Sequence, residues 1–323
     1  MTASVVKEKI RFRGAPVLMD AVRLPDQTFI ISGKVLRTAS LKNEWQEDVA
    51  NPVAVARALK DARARVDILK FWQRVPETKA KFNYHKEWRD IATIPISDYK
   101  HWFEKQISPK ARNKVRKALK LGVKVGQVEL TDNFIRGVMG IYNQSPVRRG
   151  KPFWHYGKDF VTVKDELSLD LDRSIFVAAY YQEQLIGFIK FLVADRYAMT
   201  LLILDKHAHR DKAPMNAMVA KVVEICAERK IPYFTYTVWR RGDHGHFQES
   251  NGFEKMSVPE YYIPISVIGK LALLLRLHRG IKGALPERVI VWLLEARSWW
   301  YSRKHRLSQP SGSSKSSPHM ASA

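Results

Sequence analysis

The chain has 323 residues, of which 46% are hydrophobic, so it is long and apolar enough for two domains that each bury a core. Its 55 Lys and Arg against 32 Asp and Glu give a formal net charge of +23, which predicts a polyanionic partner such as nucleic acid, anionic lipid or a phosphate-bearing cofactor. The single Cys226 excludes an intramolecular disulfide and a cysteine-based metal cluster. Charges interrupt the N-terminus where a signal peptide is apolar, and no apolar run reaches transmembrane length, so we expect a cytoplasmic protein.

Residues 1–107 alternate strand and helix patterns, which predicts a first α/β unit. Asn51 followed by Pro52 is typical of an N-cap and a first helical position. Apolar residues at helical spacing continue this helix to Ala62. The strands expected around it lie within 9–39, 66–75 and 90–96.

A strongly basic helix is predicted next. Ser108 caps it, Pro109 takes its first position and Gly122 ends it. Its cations are too many to share one face of a helix. They are Lys110, Arg112, Lys114, Arg116, Lys117 and Lys120. Two interpretations remain open: a solvated linking helix, or a helix that contacts phosphates.

The stretch 123–158 is expected to form a short strand (123–128), a capped helix (131–147) and a loop rich in cations and rings (145–158). The loop reads SPVRRGKPFWHYGK. It is either a substrate gate or a tether whose aromatic side chains fill the core.

A mixed sheet is predicted over 176–253, the stretch around which the chain is organised. Two strands flank a tight turn, a third follows closely enough for an antiparallel meander, and a helix leads to a fourth strand. A helical crossover of this kind requires a parallel pair. The elements are the strands 176–181, 185–195, 197–206 and 231–239, the helix 213–229, and a short helix ending at Phe253.

After a strand at 258–265 come two apolar segments with interspersed cations, 267–283 and 287–306, neither suited to spanning a bilayer. They form either a helical hairpin packed on the domain or an element that rests on an anionic membrane surface or a lipid-linked substrate. The Ser- and Pro-rich residues 307–323 are expected to be disordered.

The order of elements over 176–253, ending in Asn251-Gly252-Phe253-Glu254, resembles the acyltransferase core of the GNAT superfamily. The α/β unit upstream and the basic helix resemble the Fem-type aminoacyltransferases and the BioF-associated acetyltransferase-like domains. That helix supplies Arg112, Arg116, Lys117, Ala118 and Gly122. The resemblance implies an α/β (α+β) fold of tandem GNAT-like units with mixed, mostly antiparallel sheets. We expect units at 1–107 and 108–266, then a hairpin at 267–306.

Two departures from the GNAT pattern affect the donor site. The glycine-rich segment that offers N–H groups to coenzyme A pyrophosphate is replaced by Arg210 to Met215, where both glycines are lost and Pro214 removes a donor. The tyrosine that often protonates the leaving thiolate is Gln248. Both departures favour a Fem-like enzyme, because Fem-type enzymes take their acyl group from aminoacyl-tRNA and commonly lack that segment.

The resemblance therefore implies transfer of an aminoacyl or acyl group onto an amine of a cell-envelope, polysaccharide or peptide acceptor. Two alternatives stay open: an acyltransferase dependent on acyl-CoA or an acyl carrier that acts on a nucleotide sugar, and a non-catalytic module that binds RNA or a membrane. The donor is aminoacyl-tRNA or acyl-CoA, and tRNA is a partner in the first case. We expect no required cofactor, no metal site, and a location in the cytoplasm or on the inner face of the membrane.

Site residues are assigned by role. The candidates for proton transfer are His207, His209, Asp205 and Asp243. Those for donor phosphates are Arg112, Arg116, Lys117, Arg210 and Lys212. Those for the acceptor are Arg148, Arg149, Lys151, Tyr156, Trp239 and Arg240.

Overall fold

The computed structural model describes residues 3–12, 15–148, 150–240 and 242–279. The first six strands are β1 (Ser4–Phe12), β2 (Ala15–Arg23), β3 (Thr28–Ser32), β4 (Thr38–Leu41), β5 (Ile68–Trp72) and β6 (His85–Pro95). The others are β7 (Lys124–Val128), β8 (Val147–Arg148), β9 (Lys151–Pro152), β10 (Ser174–Tyr181), β11 (Gln184–Val193), β12 (Ala198–Asp205), β13 (Tyr233–Val238) and β14 (Glu254–Pro264). The helices are α1 (Pro52–Asp61), α2 (Tyr99–His101), α3 (Pro109–Lys120), α4 (Asp132–Tyr142), α5 (Phe160–Leu167), α6 (Pro214–Glu228), α7 (Asp243–Ser250) and α8 (Val267–Leu274).

Twelve strands form one sheet in the order β1-β2-β3-β4-β5-β14-β6-β13-β12-β11-β10-β7, and β8 and β9 pair separately. Ten described pairings are antiparallel, whereas β4 with β5 and β12 with β13 are parallel. The predicted mixed, mostly antiparallel sheet is therefore confirmed.

The two parallel pairs come from two similar units. In each unit, a helix follows the last strand of an antiparallel meander and crosses over the sheet. The next strand then pairs in parallel with that last strand. The crossover helix is α1 in the first unit and α6 in the second. Each packs its apolar stripe on its own part of the sheet, so α1 and α6 lie in separate core clusters.

The two units share strands at their boundary, because β14 lies between β5 and β6, and β6 pairs with β13. Arg74, which is 3% exposed, adds a polar connection. Its guanidinium pairs with Asp48 at 2.7 Å and with Asp195, in the β11–β12 turn, at 3.0 Å. Strands from before and after residue 107 thus alternate in one sheet. The division into two domains at residue 107 stays a prediction.

Local capping explains most helix starts. Asn51, Ser108 and Thr131 each accept a hydrogen bond from a backbone N–H three residues on. Gly122 follows α3 with a φ of +84°, which suits the left-handed position after a helix. The predicted caps of α1 and α3 and the end of α3 are confirmed.

Several predicted bounds were wrong. The helix predicted to run to Val147 ends at Tyr142, since Ser145 precedes a proline and such residues avoid helical backbone. Helix α5, capped by Asp159, was not predicted. Strands β6 and β14 begin five and four residues earlier than expected, at His85 and Glu254. In the predicted hairpin, α8 and the 3-10 turn Leu277–Arg279 are described, whereas its second helix and the tail lie outside the described residues.

Candidate functional site

Strand β12 is an interior strand whose neighbour on one side leaves it early. Its pairing with β11 extends to Asp205, whereas its pairing with β13 stops after Ala198–Phe234 and Met199–Thr235. Residues 201–204 are only half-buried although they lie within the sheet. The backbone of β12 beyond Met199 is therefore free of a β13 partner, and its N–H groups on that edge are available to hold an oxyanion.

A bulge turns β13 away from β12. Thr237 has a φ of +97°, which is strained for a β-branched residue. The pairing register of β13 with β6 shifts between Thr235 and Val238 at the same place. The strain thus lies where the sheet opens.

A cleft of about 700 Å³ adjoins this opening. The N-terminal part of α3 forms one wall, α7 forms the other, and Met215 and Tyr236 lie between them. Its lining residues are Ser108, Lys110, Ala111, Lys114, Met215, Tyr236, His246, Phe247, Glu249 and Ser250. Cations, two aromatic rings and a histidine suit a ligand with phosphates and an aromatic base.

The basic helix divides its cations between two sides, as its spacing predicts. A buried stripe of Ala111, Val115 and Ala118 packs toward α6. Lys110 and Lys114 flank this stripe on the cleft side. Arg112 lies on the other side and donates to the carbonyl oxygens of Phe103, Glu104 and Ile107 at 2.8, 2.6 and 3.3 Å. Its guanidinium therefore closes the turn before α3 and is held away from the cleft.

The remaining predicted donor cations lie near the start of α6 or beside Phe103. The Arg116 guanidinium lies 5.7 Å from the Phe103 ring. The Lys212 ammonium is the main cause of a lowered pKa for Asp211, and Lys117 adds a smaller contribution. Lys117 and Lys212 are therefore close to the N-terminus of α6, where an anion is favoured.

Helix α6 begins without a side-chain cap. Ala213 occupies the N-cap position with a φ of +53°, where glycine would be unstrained. Pro214 follows at the first helical position and has no N–H to donate. The N-terminus of α6 therefore lacks the glycine and one backbone N–H donor that the pattern for coenzyme A requires. Fewer backbone N–H groups remain there to bind a pyrophosphate.

Gln248 and Asn251 are buried connectors between α7 and the sheet. The Gln248 amide accepts from Arg240 N at 3.0 Å and donates to Val238 O at 3.2 Å. Asn251 accepts from the Asn216 amide at 2.9 Å, which ties α7 to α6. Gly252, with a φ of +78°, ends α7. Gln248 cannot substitute for an acidic tyrosine, because an amide has no proton acidic enough to transfer to a leaving group, and its hydrogen bonds fix α7 to β13.

Asp205, at the end of β12, is 5% exposed and pairs with Arg210 at 3.0 Å. Arg148 donates to the Asp205 carbonyl oxygen at 3.1 Å and to that of Ile141 at 3.2 Å. Both arginines are therefore held by the chain around β12. The Arg210 guanidinium engages both oxygens of the Asp205 carboxylate, so this geometry disfavours Asp205 as the proton acceptor.

The two predicted histidines lie in the 3-10 turn His207–Lys212, directly before α6. His209 Nε2 donates to Gln184 Oε1 at 3.1 Å, since an amide oxygen can only accept. Burial, together with the nearby Lys212 and Lys206, lowers the pKa of His209. His207 is exposed, and its backbone N–H donates to Gln144. Both residues lie before the N-terminus of α6, and His209 lies on the β11 side of β12.

The loop 145–158 is partly a core element. His155 is 3% exposed and lies between Tyr142 and Trp154, with ring centroids 4.2 and 3.4 Å away. Burial first, and then Lys158 and Arg148, lower its pKa to about 3. His155 therefore fills the core, as the tether interpretation predicts. The exposed residues of the loop can still contact a ligand.

The other predicted acceptor residues come from two parts of the chain, the loop 145–158 and the end of β13. Lys151 and Tyr156 are exposed on the loop, and Arg240 is exposed after β13. Trp239 is half-buried, and its backbone N–H donates to the Asp90 carbonyl oxygen at 2.8 Å. Asp243 begins α7, but its side chain and the whole of Arg149 lie outside the description.

No family model and no curated protein matches the chain. Solved structures do: FemX has a TM-score of 0.54 at 11% identity, covering 84% of this chain and 90% of that one. The C-terminal domain of an Agrobacterium fabrum protein assigned as a lysylphosphatidylglycerol synthetase has 0.52 at 12%, covering 76% and 83%. L-PGS from Bacillus licheniformis has 0.50 at 14%, covering 77% and 85%.

The chain has a GNAT-like fold. The resemblance seen in the sequence is confirmed at the level of the fold. Two features of this fold bear on the site. Strands β12 and β13 separate after two residue pairs, and α6 begins without a side-chain cap.

None of the ten residues that line the cleft is among the site residues assigned from the sequence; they include Lys110, Lys114, Tyr236 and His246. The two lysines were visible as part of the basic helix, and their spacing of four residues puts them on one face. Tyr236 and His246 become neighbours of that helix only when α7 folds back over β13.

Proposed function

We propose that the chain is an acyltransferase that moves an aminoacyl group from aminoacyl-tRNA onto an amine of a cell-envelope, polysaccharide or peptide acceptor. The observation that carries this proposal is the cleft beside the opened strand pair, with Lys110 and Lys114 on its wall. Phosphates and a terminal base of RNA match the cations and the rings of Tyr236 and Phe247.

Coenzyme A carries a base and phosphates too, so the donor must be argued separately. Ala213 and Pro214 disfavour the backbone cradle for pyrophosphate, and the net charge of +23 favours a long polyanion. The Fem-type resemblance points the same way. An acyl-CoA-dependent transfer to a nucleotide sugar is the competing reaction.

We assign the proton transfer to His246, which lines the cleft with its Nδ1 3.8 Å from Glu249 Oε2. The amine must lose a proton as it attacks the carbonyl carbon, and the leaving ribose oxygen must gain one. One imidazole can accept the first proton and donate it in the second step. His207 and His209 then contribute at the phosphate end, together with Arg210 and Lys212.

The donor is tested by incubating the full chain with charged tRNA and, separately, with acyl-CoA mixtures, together with amine acceptors. Consumption of the aminoacyl-tRNA ester beyond its spontaneous hydrolysis, with the amino acid recovered on an acceptor, is the expected result. Consumption of acyl-CoA alone would replace the donor. Binding of RNA without turnover, lost steeply as salt rises, would assign a polyanion-binding module instead.

A membrane-bound acceptor is supported by helix α8. Its apolar residues at helical spacing face outward, with Val267 72%, Leu271 52% and Leu274 78% exposed. Lys270 and Arg276 stand beside them, which suits an anionic lipid surface. Among the described residues, no helix combines the length and apolar character needed to cross a bilayer.

Flotation with vesicles tests this contact. The full chain should float with phosphatidylglycerol vesicles and not with phosphatidylcholine vesicles, and Leu271→Asp with Leu274→Asp should abolish flotation. Val53→Asp, at an exposed apolar position on α1, is the matched control. Equal flotation of both variants would remove α8 from the proposal.

A further inference from the structure

A cluster of two histidines and a carboxylate lies away from the cleft, on the other side of the shared strands. His85 and Glu87 are two residues apart on β6 and so project from the same face of the sheet. The 3-10 turn Leu277–Arg279 brings His278 over them. One nitrogen from each imidazole and one oxygen of Glu87 all lie within 4.8 Å of one another.

His278 is the buried member of this cluster. Its side chain is 2% exposed, and its ring lies 4.8 Å from that of Tyr262 and 5.2 Å from that of His85. Its Nε2 is 2.9 Å from Glu87 Oε1. Its Nδ1 is buried and has no hydrogen-bond partner within the described ranges. A buried imidazole nitrogen without a partner is costly unless a ligand or a rearranged ring satisfies it.

We propose that His85, Glu87 and His278 form a binding site for a divalent transition metal, with Zn²⁺ as the best fit. Two imidazole nitrogens and one carboxylate oxygen are a donor set that Zn²⁺ accepts, with water completing the tetrahedron. Hard cations such as Mg²⁺ and Ca²⁺ prefer oxygen ligands. An imidazole binds a metal only in its neutral form, so metal affinity falls as the pH is lowered.

The metal would connect two parts of the chain. His85 and Glu87 belong to the sheet, whereas His278 lies just beyond α8. Coordination would fix the turn Leu277–Arg279, which follows α8, to β6. This role is independent of the proposed transfer reaction, because the cluster and the cleft share no lining residue.

Arg279 provides an internal competitor. Its Nε donates to Glu87 Oε1 at 2.7 Å, so the guanidinium occupies the same oxygen that a metal would take. Glu87 must offer its second oxygen or release Arg279 when the ion binds. Removing the guanidinium should therefore raise the metal affinity, whereas removing a ligand should lower it.

The test uses the full chain without a histidine tag, dialysed against a chelator and titrated with ZnCl₂ in competition with a chromophoric zinc indicator. We expect one equivalent to bind. His278→Ala and Glu87→Gln should each weaken binding by more than about tenfold, since even outer partners of metal ligands change affinity by that much. Arg279→Ala should tighten it, and His101→Ala, at an exposed histidine of α2, should not change it.

Hydrogen exchange gives a second readout that does not depend on a stable variant. Zinc should slow exchange of the amides of α8 and of residues 277–279 in the wild-type chain, with no effect on α1. Zinc binding that survives loss of His278 and Glu87 would assign the ion to other residues and overturn the proposal. So would the absence of zinc binding by the wild-type chain.

Discussion

The two crossover units share a topology and differ in how tightly they close. In the first unit three of the four residues of β4 pair with β5, and Asn51 caps α1. In the second unit two of the eight residues of β12 pair with β13, and α6 starts without a side-chain cap. The first unit is closed, whereas the second exposes backbone donors and a cleft. The same arrangement of strands and helix can therefore be closed or open, depending on where a strand separates from its neighbour.

The largest effect is expected from the cations of the cleft wall. Lys110→Glu combined with Lys114→Glu should reduce kcat/KM for the acyl donor about 1000-fold, because each lost charge-assisted contact costs about 1.5–3 kcal/mol. Steady-state kinetics with the donor found in the transfer assay measures it. Lys120→Glu on the outer face of α3 and Arg57→Glu on α1 are the matched controls. If Arg57→Glu were equally damaging, the first unit would also hold the donor.

Next in size is the proton-transfer residue. His246→Gln should lower kcat about 100-fold, the smaller end of what general acid–base catalysis contributes. His209→Gln should instead raise KM for the donor, because His209 lies at the start of α6 beside Lys212. The two variants are compared at saturating and limiting donor. If His209→Gln lowered kcat and His246→Gln did not, the proton transfer would be assigned to His209 instead of His246.

The pH dependence of stability tests whether loop 145–158 is a packed cover. His155 has a pKa of about 3, below its ordinary value of 6.5, so the unfolded chain takes up a proton that the folded chain refuses. Stability should fall as the pH drops from about 6.5 toward 3, by up to about 1.4 kcal/mol per pH unit. Urea unfolding from pH 7 to pH 4 should show a flatter dependence for His155→Phe than for wild type. His101→Phe should leave the wild-type dependence in place.

The smallest effects come from the two helix starts. Asn51→Ala should cost about 1 kcal/mol through the lost cap, whereas Ala213→Gly should stabilise the chain by about 0.5–1 kcal/mol by relieving a left-handed alanine. Both changes are measured by urea unfolding at neutral pH. Destabilisation by Ala213→Gly would mean that the turn before α6 is held by contacts of the methyl group.

Much of the fold was predictable because it depends on local rules. Apolar spacing, Pro52 and Pro109 after their caps, and Gly122 after α3 fixed the helices. The order of strands around α6 led to the GNAT-like resemblance. The end of α4 and the helix α5 were missed because a short, weakly amphipathic helix after an aromatic loop has little periodic signal.

The candidate site was less predictable. Arg112 belongs to the motif that suggested phosphate contact, yet its guanidinium bonds to the carbonyl oxygens of Phe103, Glu104 and Ile107. Lys110 and Lys114 on the same helix line the cleft instead. A sequence identifies the cations of a helix, but the neighbour that each one meets depends on how the helix packs.

The sequence by itself determined the crossover helix α6, the basic helix and the missing glycines before α6, since each follows from residues close together in the chain. Only the tertiary structure decided that β6 and β14 are shared between the units, that α7 meets α3 across a cleft, and that His278 meets Glu87 across 191 positions. Local steric and capping preferences act over a few residues, whereas these contacts depend on the register of a twelve-stranded sheet.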